Sequence, residues 1–221
     1  LSQRLGCKLI VDFRDPWTTI GYHKALKLSL YAEEKHKKLE KKVLNSADRI
    51  IVTSKSTREE FREITAKPIE IITNGYDVAI EKSKTLDEKF TLSHIGSLLS
   101  ERNPVILWQV LAEIIREVDG FAEDFELKLI GTVAHDILVT IRSYDLHKHL
   151  NLMGYVPNGE AVKHQKQSQV LLLVEINSVE TKSIIPGKVF EYMVSGRPII
   201  GIGPTGSDFA EILEETNTGV F

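Results

Sequence analysis

Lys188 and Glu191 stand three residues apart in the stretch 186–204, PGKVFEYMVSGRPIIGIGP. A Pro-Gly turn opens a short helical segment there, a Ser-Gly turn closes it, and Pro198 starts an apolar run. At that spacing the two side chains share a face near the helix start. A carboxylate accepts hydrogen bonds from two neighbouring hydroxyls at once, as a ribose diol presents them. A lysine beside a helix N-terminus suits a diphosphate. The plain alternative is a surface Lys–Glu pair, worth roughly a few tenths of a kcal/mol. The flanking Val189, Phe190, Tyr192, Met193 and Val194 speak against it. They make the helix mostly buried, and a buried carboxylate needs partners.

Glycines recur in the segments that would carry such a ligand. IGSLLSERNP, IGTVAHD, MGYVPNG and GIGPTGS each follow an apolar run. In open parallel sheets ligands sit beyond the carboxyl ends of the strands, and glycine lets backbone approach a phosphate or base closely. Tight turns alone would also explain each glycine. No G-x-G-x-x-G follows the first strand of either half, no G-x-x-x-x-G-K-[ST] occurs, and no D-x-D is present to hold a metal on a sugar nucleotide. His147 and His149 are too close to share a helix face. No metal site and no cofactor are expected.

The elements that position these residues alternate between strand and helix. Strands are predicted at 8–13, 48–54 and 69–77, with helices at 24–46 and from a Ser56/Glu59 capping box through Ile64. The polar, aperiodic stretch 78–89 reads as a linker. Strands then follow at 90–96, 125–131, 150–154, 169–175 and 198–203. They alternate with helices at 103–118, 135–147, after Pro157, 187–195 and 207–215. In the helix 103–118, Asn103 is the expected cap, with Pro104 in the first helical position. Strands separated by helices give βαβ units, a parallel sheet and an α/β fold.

The chain has 221 residues, 42% hydrophobic and 27% charged, with a net charge of −3. This is an ordinary globular composition that gives no reason to expect nucleic acid as a partner. Cys7 is the single cysteine, so no internal disulfide forms, which fits a reducing cytoplasm. The start, LSQRLGCKLIVDF, lacks the features of a signal peptide. Leu1 is not an initiator methionine and the chain stops at TNTGVF, so an internal piece of a longer protein is expected.

PGKVFEYMVSGRPII resembles the donor-site segment of retaining, family-4-like glycosyltransferases with the GT-B fold. SHIGSL resembles the first strand and glycine loop of their C-terminal domain. GYVPNGEAVKHQKQSQVLLL resembles the base-contacting loop with the helix and strand after it. SADRIIVTSKSTREEF, IEIITNGYD and VDFRDPW resemble parts of their N-terminal domain. The resemblance implies two Rossmann-like parallel-sheet domains, the N-terminal one incomplete. Residues 1–80 would be the C-terminal part of the acceptor-side domain, and 90–221 the nucleotide-sugar-binding domain. It implies transfer of a sugar from a nucleoside diphosphate sugar to an acceptor hydroxyl, on a glycan or lipid-linked acceptor of bacterial surface polysaccharide synthesis. The enzyme would be cytoplasmic, peripheral to the inner membrane, with the fragment alone inactive.

Carried over residue by residue, Glu191 would take the ribose hydroxyls, and Lys188 and Arg102 the diphosphate as catalytic groups. Gly96 would let its loop approach that phosphate. Tyr155 and Val156 would lie against the base, and Gly187 would set up the helix start. Three positions depart from the family pattern. Ser183 stands where an earlier glutamate would contact the donor sugar, with Thr181 and Lys182 as other substitutes. Ser97 replaces an arginine, and Asn103-Pro104 replaces Lys-Gly. Two other readings stay open: a sugar-nucleotide epimerase of the same fold, and a non-catalytic module that kept the fold and lost the site.

In the loop after the first strand, Asp12, Arg14, Asp15 and Trp17 either face the acceptor or pin the loop through an Arg–Asp pair. Lys35, Lys37, Lys38, Lys41 and Lys42 either touch anionic lipid or form a solvated face balanced by Glu33, Glu34 and Glu40.

Overall fold

A computed structural model describes residues 6–21, 23, 26–77 and 85–221. The chain divides into two compact units. One comprises residues 1–75 with the segments 178–186 and 204–209; the other comprises 76–177, 187–203 and 210–221. Most of the expected linker, 78–84, lies outside the described residues.

The first unit holds a parallel three-stranded sheet in the order β1-β2-β3, from Ile10–Phe13, Arg49–Val52 and Ile69–Ile71. Helices α1 (Leu30–Ser46) and α2 (Lys55–Arg62) connect the strands. Leu44, Ala47, Ile50, Val52 and Phe61 form its core, and Phe13 meets Phe61 edge-on at 4.9 Å between ring centroids. Two helix starts differ from expectation. The helix predicted from residue 24 begins at Leu30, because the Ser29 side chain accepts the Ala32 N–H and caps it there; residues 24 and 25 lie outside the described set. The capping box on Ser56 does not form. Ser54 caps α2 by accepting from Thr57 N, while Glu59 pairs with Arg58 and Arg62.

The loop after β1 is pinned. Arg14 pairs with Asp12 at 3.3 Å and donates to Asn74 at 2.5 Å, and Thr53 donates to the Arg14 carbonyl. Glu40 does not serve the solvated face. It is buried, and its carboxylate accepts from the Thr18 amide and hydroxyl at 3.1 and 2.7 Å.

The second unit holds a six-stranded parallel sheet in the order β6-β5-β4-β7-β8-β9. Its strands are Phe90–Ile95 (β4), Phe125–Ile130 (β5), Leu150–Gly154 (β6), Val170–Val174 (β7), Ile199–Ile202 (β8) and Gly219–Val220 (β9). The connecting helices are Val105–Glu117 (α3), Phe121–Asp124 (α4), His135–Ser143 (α5), Asn158–Gln167 (α6), Lys188–Ser195 (α7) and Asp208–Thr216 (α8). The chain lays β5 and β6 on one side of β4, then crosses over to place β7 on the other. The loops after β4 and β7 therefore diverge, leaving a crevice at the carboxyl ends of these two strands.

Trp108, Leu111, Leu127, Leu129, Ile137, Ile141, Leu172 and Val174 form the core under α3 and α5. Asn103 is not the cap of α3. Its side chain accepts from the Trp108 indole at 2.8 Å and donates to Thr140 at 3.0 Å, and Pro104 occupies the cap position. Ahead of β4, Asp87 receives the buried Lys128 ammonium at 2.7 Å and the Thr91 hydroxyl at 2.9 Å, which ties this entry segment to the sheet.

Candidate functional site

The first turn of α7 is held against the end of β4. Val189 and Tyr192 point inward and are fully buried, and the Tyr192 hydroxyl accepts the Ile95 N–H at 3.0 Å. Burial holds the Tyr192 phenol well above its ordinary value, so the ring stays neutral. The next residue after Ile95 is Gly96, and the Lys188 side chain lies across it. A Cβ at Gly96 would stand 2.8 Å from Lys188 Cε, and its φ of +146° lies in the region that favours glycine. Gly131, at the end of β5 with φ +115°, meets the Gly96 carbonyl so closely that a Cβ there would overlap it. These two loops thus meet backbone to backbone, with no side chain between.

Beneath this contact lies His94, buried, with Nδ1 3.0 Å from the Leu172 carbonyl. A carbonyl only accepts, so Nδ1 carries the proton. Burial pushes the pKa of the ring down to about 4. Hydrogen bonding to the Leu172 and Ser97 backbones opposes this, and the charges of Lys188 and Arg102 add to the fall. The ring thus stays neutral two residues before Gly96, at the end of β4.

Arg102 ends a short 3₁₀ turn, Ser100–Arg102, in the loop after β4. Its Nε and Nη2 donate to Glu175 Oε1 at 3.2 and 3.0 Å. Glu175 ends β7, is buried, and also accepts the Ile176 N–H at 2.8 Å. The guanidinium is thus held at the crevice by a carboxylate that is itself fixed to backbone. The pair borders a cavity of about 510 Å³ whose walls include Val105, Ile106, Val174 and Ile202.

Glu191 lies one turn into α7, half-buried. It makes no ion pair with Lys188 among the described residues; its Oε2 accepts from Gln165 Nε2 of α6 at 3.0 Å. The surface-pair alternative is therefore not what forms. Gly187 occupies the cap position of α7. Tyr155 and Val156 directly follow β6, the tyrosine 87% exposed and the valine half-buried. The structure thus brings Lys188 onto Gly96 and holds Arg102 on Glu175 just after β7, with Glu191 on the same helix as Lys188. Tyr155 and Val156 stand at the end of β6, two strands from β4. Ser183 is half-buried after the 3₁₀ turn Val179–Thr181, in the segment 178–186 that groups with the first unit.

Four contributors were not singled out from sequence as site residues: His94, Gln165, Glu175 and Tyr192. Glu175 had a legible signal, a carboxylate closing the apolar run VLLLV at a strand's carboxyl end. Gln165 had none, because its partner is supplied by a different helix. Among the described residues, no group of three or more His, Cys, Asp or Glu side chains gathers as a metal site would require.

Residues 1–80 match the family model for Glycosyltransferase Family 4. No curated protein matches the sequence. Among solved structures, HepE of Anabaena in complex with UDP is similar at 16% identity and a TM-score of 0.65, over 98% of this chain and 64% of that one. WaaG, a glycosyltransferase involved in lipopolysaccharide biosynthesis, is similar at 10% identity and a TM-score of 0.62, over 99% and 65%. Sucrose-phosphate synthase of Thermosynechococcus elongatus is similar at 18% identity and a TM-score of 0.60, over 99% and 56%. The chain spans less than two thirds of the length of each. Its fold is the α/β arrangement of two Rossmann-like units found in GT-B glycosyltransferases.

Proposed function

We propose that this chain is the larger part of a retaining glycosyltransferase that moves a sugar from a nucleoside diphosphate sugar to an acceptor hydroxyl. The observation that carries this reading is the pair of cations at the carboxyl ends of β4 and β7: Lys188 lies across Gly96, and Arg102 is held on Glu175. Sugar transfer leaves negative charge on the departing diphosphate, and two cations fixed before reaction stabilise that charge without reorganising. Glu191, one turn along the same helix, accepts hydroxyl protons of the ribose. Tyr155 and Val156 flank the base. No protein nucleophile is assigned.

The acceptor in this reading is a glycan or lipid-linked intermediate of bacterial surface polysaccharide synthesis, met at the cytoplasmic side of the membrane. One surface favours such a placement. At the start of α1, Leu30 and Tyr31 are 84% and 80% exposed, and further along the helix Lys35, Lys41 and Lys42 have no carboxylate partner among the described residues. Apolar side chains beside unpaired lysines suit an anionic bilayer surface.

Calorimetric titration with UDP, GDP and ADP tests the donor site. One of them binds the chain, and Glu191→Ala weakens that binding about tenfold or more with little change in melting temperature. Failure of all three to bind a folded chain would favour the non-catalytic module instead. Unaltered affinity with a large fall in melting temperature would make Glu191 structural.

A further inference from the structure

Resting on the nucleoside diphosphate reading above, we propose that Gln165 is a positioning residue that aims the Glu191 carboxylate at the ribose hydroxyls. Glu191 alone has three rotatable side-chain bonds and a half-buried setting, which leaves its oxygens several directions to point. Gln165 removes that freedom. It is 2% exposed, so its amide is locked by the packing of α6 against α7, and its Nε2 reaches Glu191 Oε2 at 3.0 Å. A carboxylate only accepts, so the amide must be the donor.

The identity of the donor matters as much as its position. A lysine or arginine here would neutralise the carboxylate and compete with any ligand. A neutral amide fixes one oxygen and leaves the charge in place, with Oε1 and a remaining lone pair on Oε2 open to two hydroxyl donors. The arrangement also has a consequence for the order of contacts. Helix α6 starts at Asn158, directly after Tyr155–Pro157, so the helix that follows the proposed base contact also sets the ribose contact. The competing role is purely structural, a bond that joins α6 to α7 whether or not a nucleotide binds.

Titration of the chain with UDP and with 2′,3′-dideoxy-UDP separates the two roles, because only positioning acts through the ribose hydroxyls. The native chain prefers UDP. Gln165→Leu lowers UDP affinity about tenfold and leaves 2′,3′-dideoxy-UDP affinity nearly unchanged, so the preference collapses toward one. Gln165→Met supplies the same comparison where the leucine variant does not fold. A preference that stays at its native value, or equal weakening of both nucleotides with a lowered melting temperature, overturns the role of Gln165 and leaves the donor site standing. A native chain that binds neither these nucleotides nor their guanine and adenine counterparts overturns the nucleotide reading and the role of Gln165 together.

Discussion

A neutral, enclosed imidazole makes the second unit's stability depend on pH. Burial first, and Lys188 and Arg102 after it, bring the pKa of His94 from 6.5 in the unfolded chain to about 4 in the folded one. The folded value is the lower, so the unfolded chain binds the proton first as pH falls. The contribution of His94 is therefore complete above pH 6.5 and is lost as pH falls toward 4. It is on the order of 3 kcal/mol at most. Urea unfolding at a series of pH values should show the native chain losing stability across this window, with His94→Gln giving a visibly flatter profile. Parallel profiles would mean that the ring is solvated or already charged. The same neighbourhood shows which residues of the candidate site can be read from sequence. Lys188, Glu191 and Gly96 were legible because their chemistry shows in a local stretch: a charge in an apolar helix, a glycine after a strand. Their partners were not. Gln165 lies 26 positions from Glu191, Glu175 lies 73 from Arg102, and Tyr192 lies 97 from Ile95. Each pair meets only because the sheet brings distant segments side by side.

At the scale of elements, the alternation of apolar runs and helical patterns was enough to place every strand of the parallel sheets except β9, whose two residues carry no periodicity. Boundaries were harder, because caps are decided by side-chain competition. Asn103 is a good capping residue by type, yet the buried Trp108 indole needs an acceptor and takes it. Ser56 with Glu59 has the spacing of a capping box, yet Ser54 two residues earlier already serves Thr57 N, and Glu59 is engaged by two arginines. This assignment makes a measurable distinction. Ser54→Ala removes the bond that satisfies a free N–H of the first turn of α2 and costs about 1 kcal/mol, whereas Ser56→Ala stays within about 0.5 kcal/mol. Chemical denaturation of the two variants checks this, and the reverse order of effects would restore the Ser56 box.

For the whole molecule, a net charge of −3 conceals an uneven distribution. On α1, Lys37 and Lys38 are matched to Glu33 and Glu34 one turn back, while Glu40 turns inward to Thr18. Lys35, Lys41 and Lys42 are left as a cationic surface, with Leu30 and Tyr31 exposed at the helix start and Leu26 exposed just before it. A solvated face needs the lysines but gives no reason for the apolar residues beside them; in the proposed reading an anionic bilayer would account for both, with the apolar side chains in the interface and the ammonium groups at lipid phosphate. Each lysine near such a surface contributes about 1 kcal/mol, so exchanging all three for glutamate should lower affinity for phosphatidylglycerol vesicles roughly a hundredfold or more. Leu30→Ser with Tyr31→Ser should weaken binding while leaving its salt dependence intact. Added salt should release the native chain, because surface charges are screened within about 8 Å at physiological ionic strength. Co-sedimentation with phosphatidylglycerol and with phosphatidylcholine vesicles reads all three effects. Equal recovery of the native and the triple glutamate chains with anionic vesicles would leave the lysines as an ordinary solvated face.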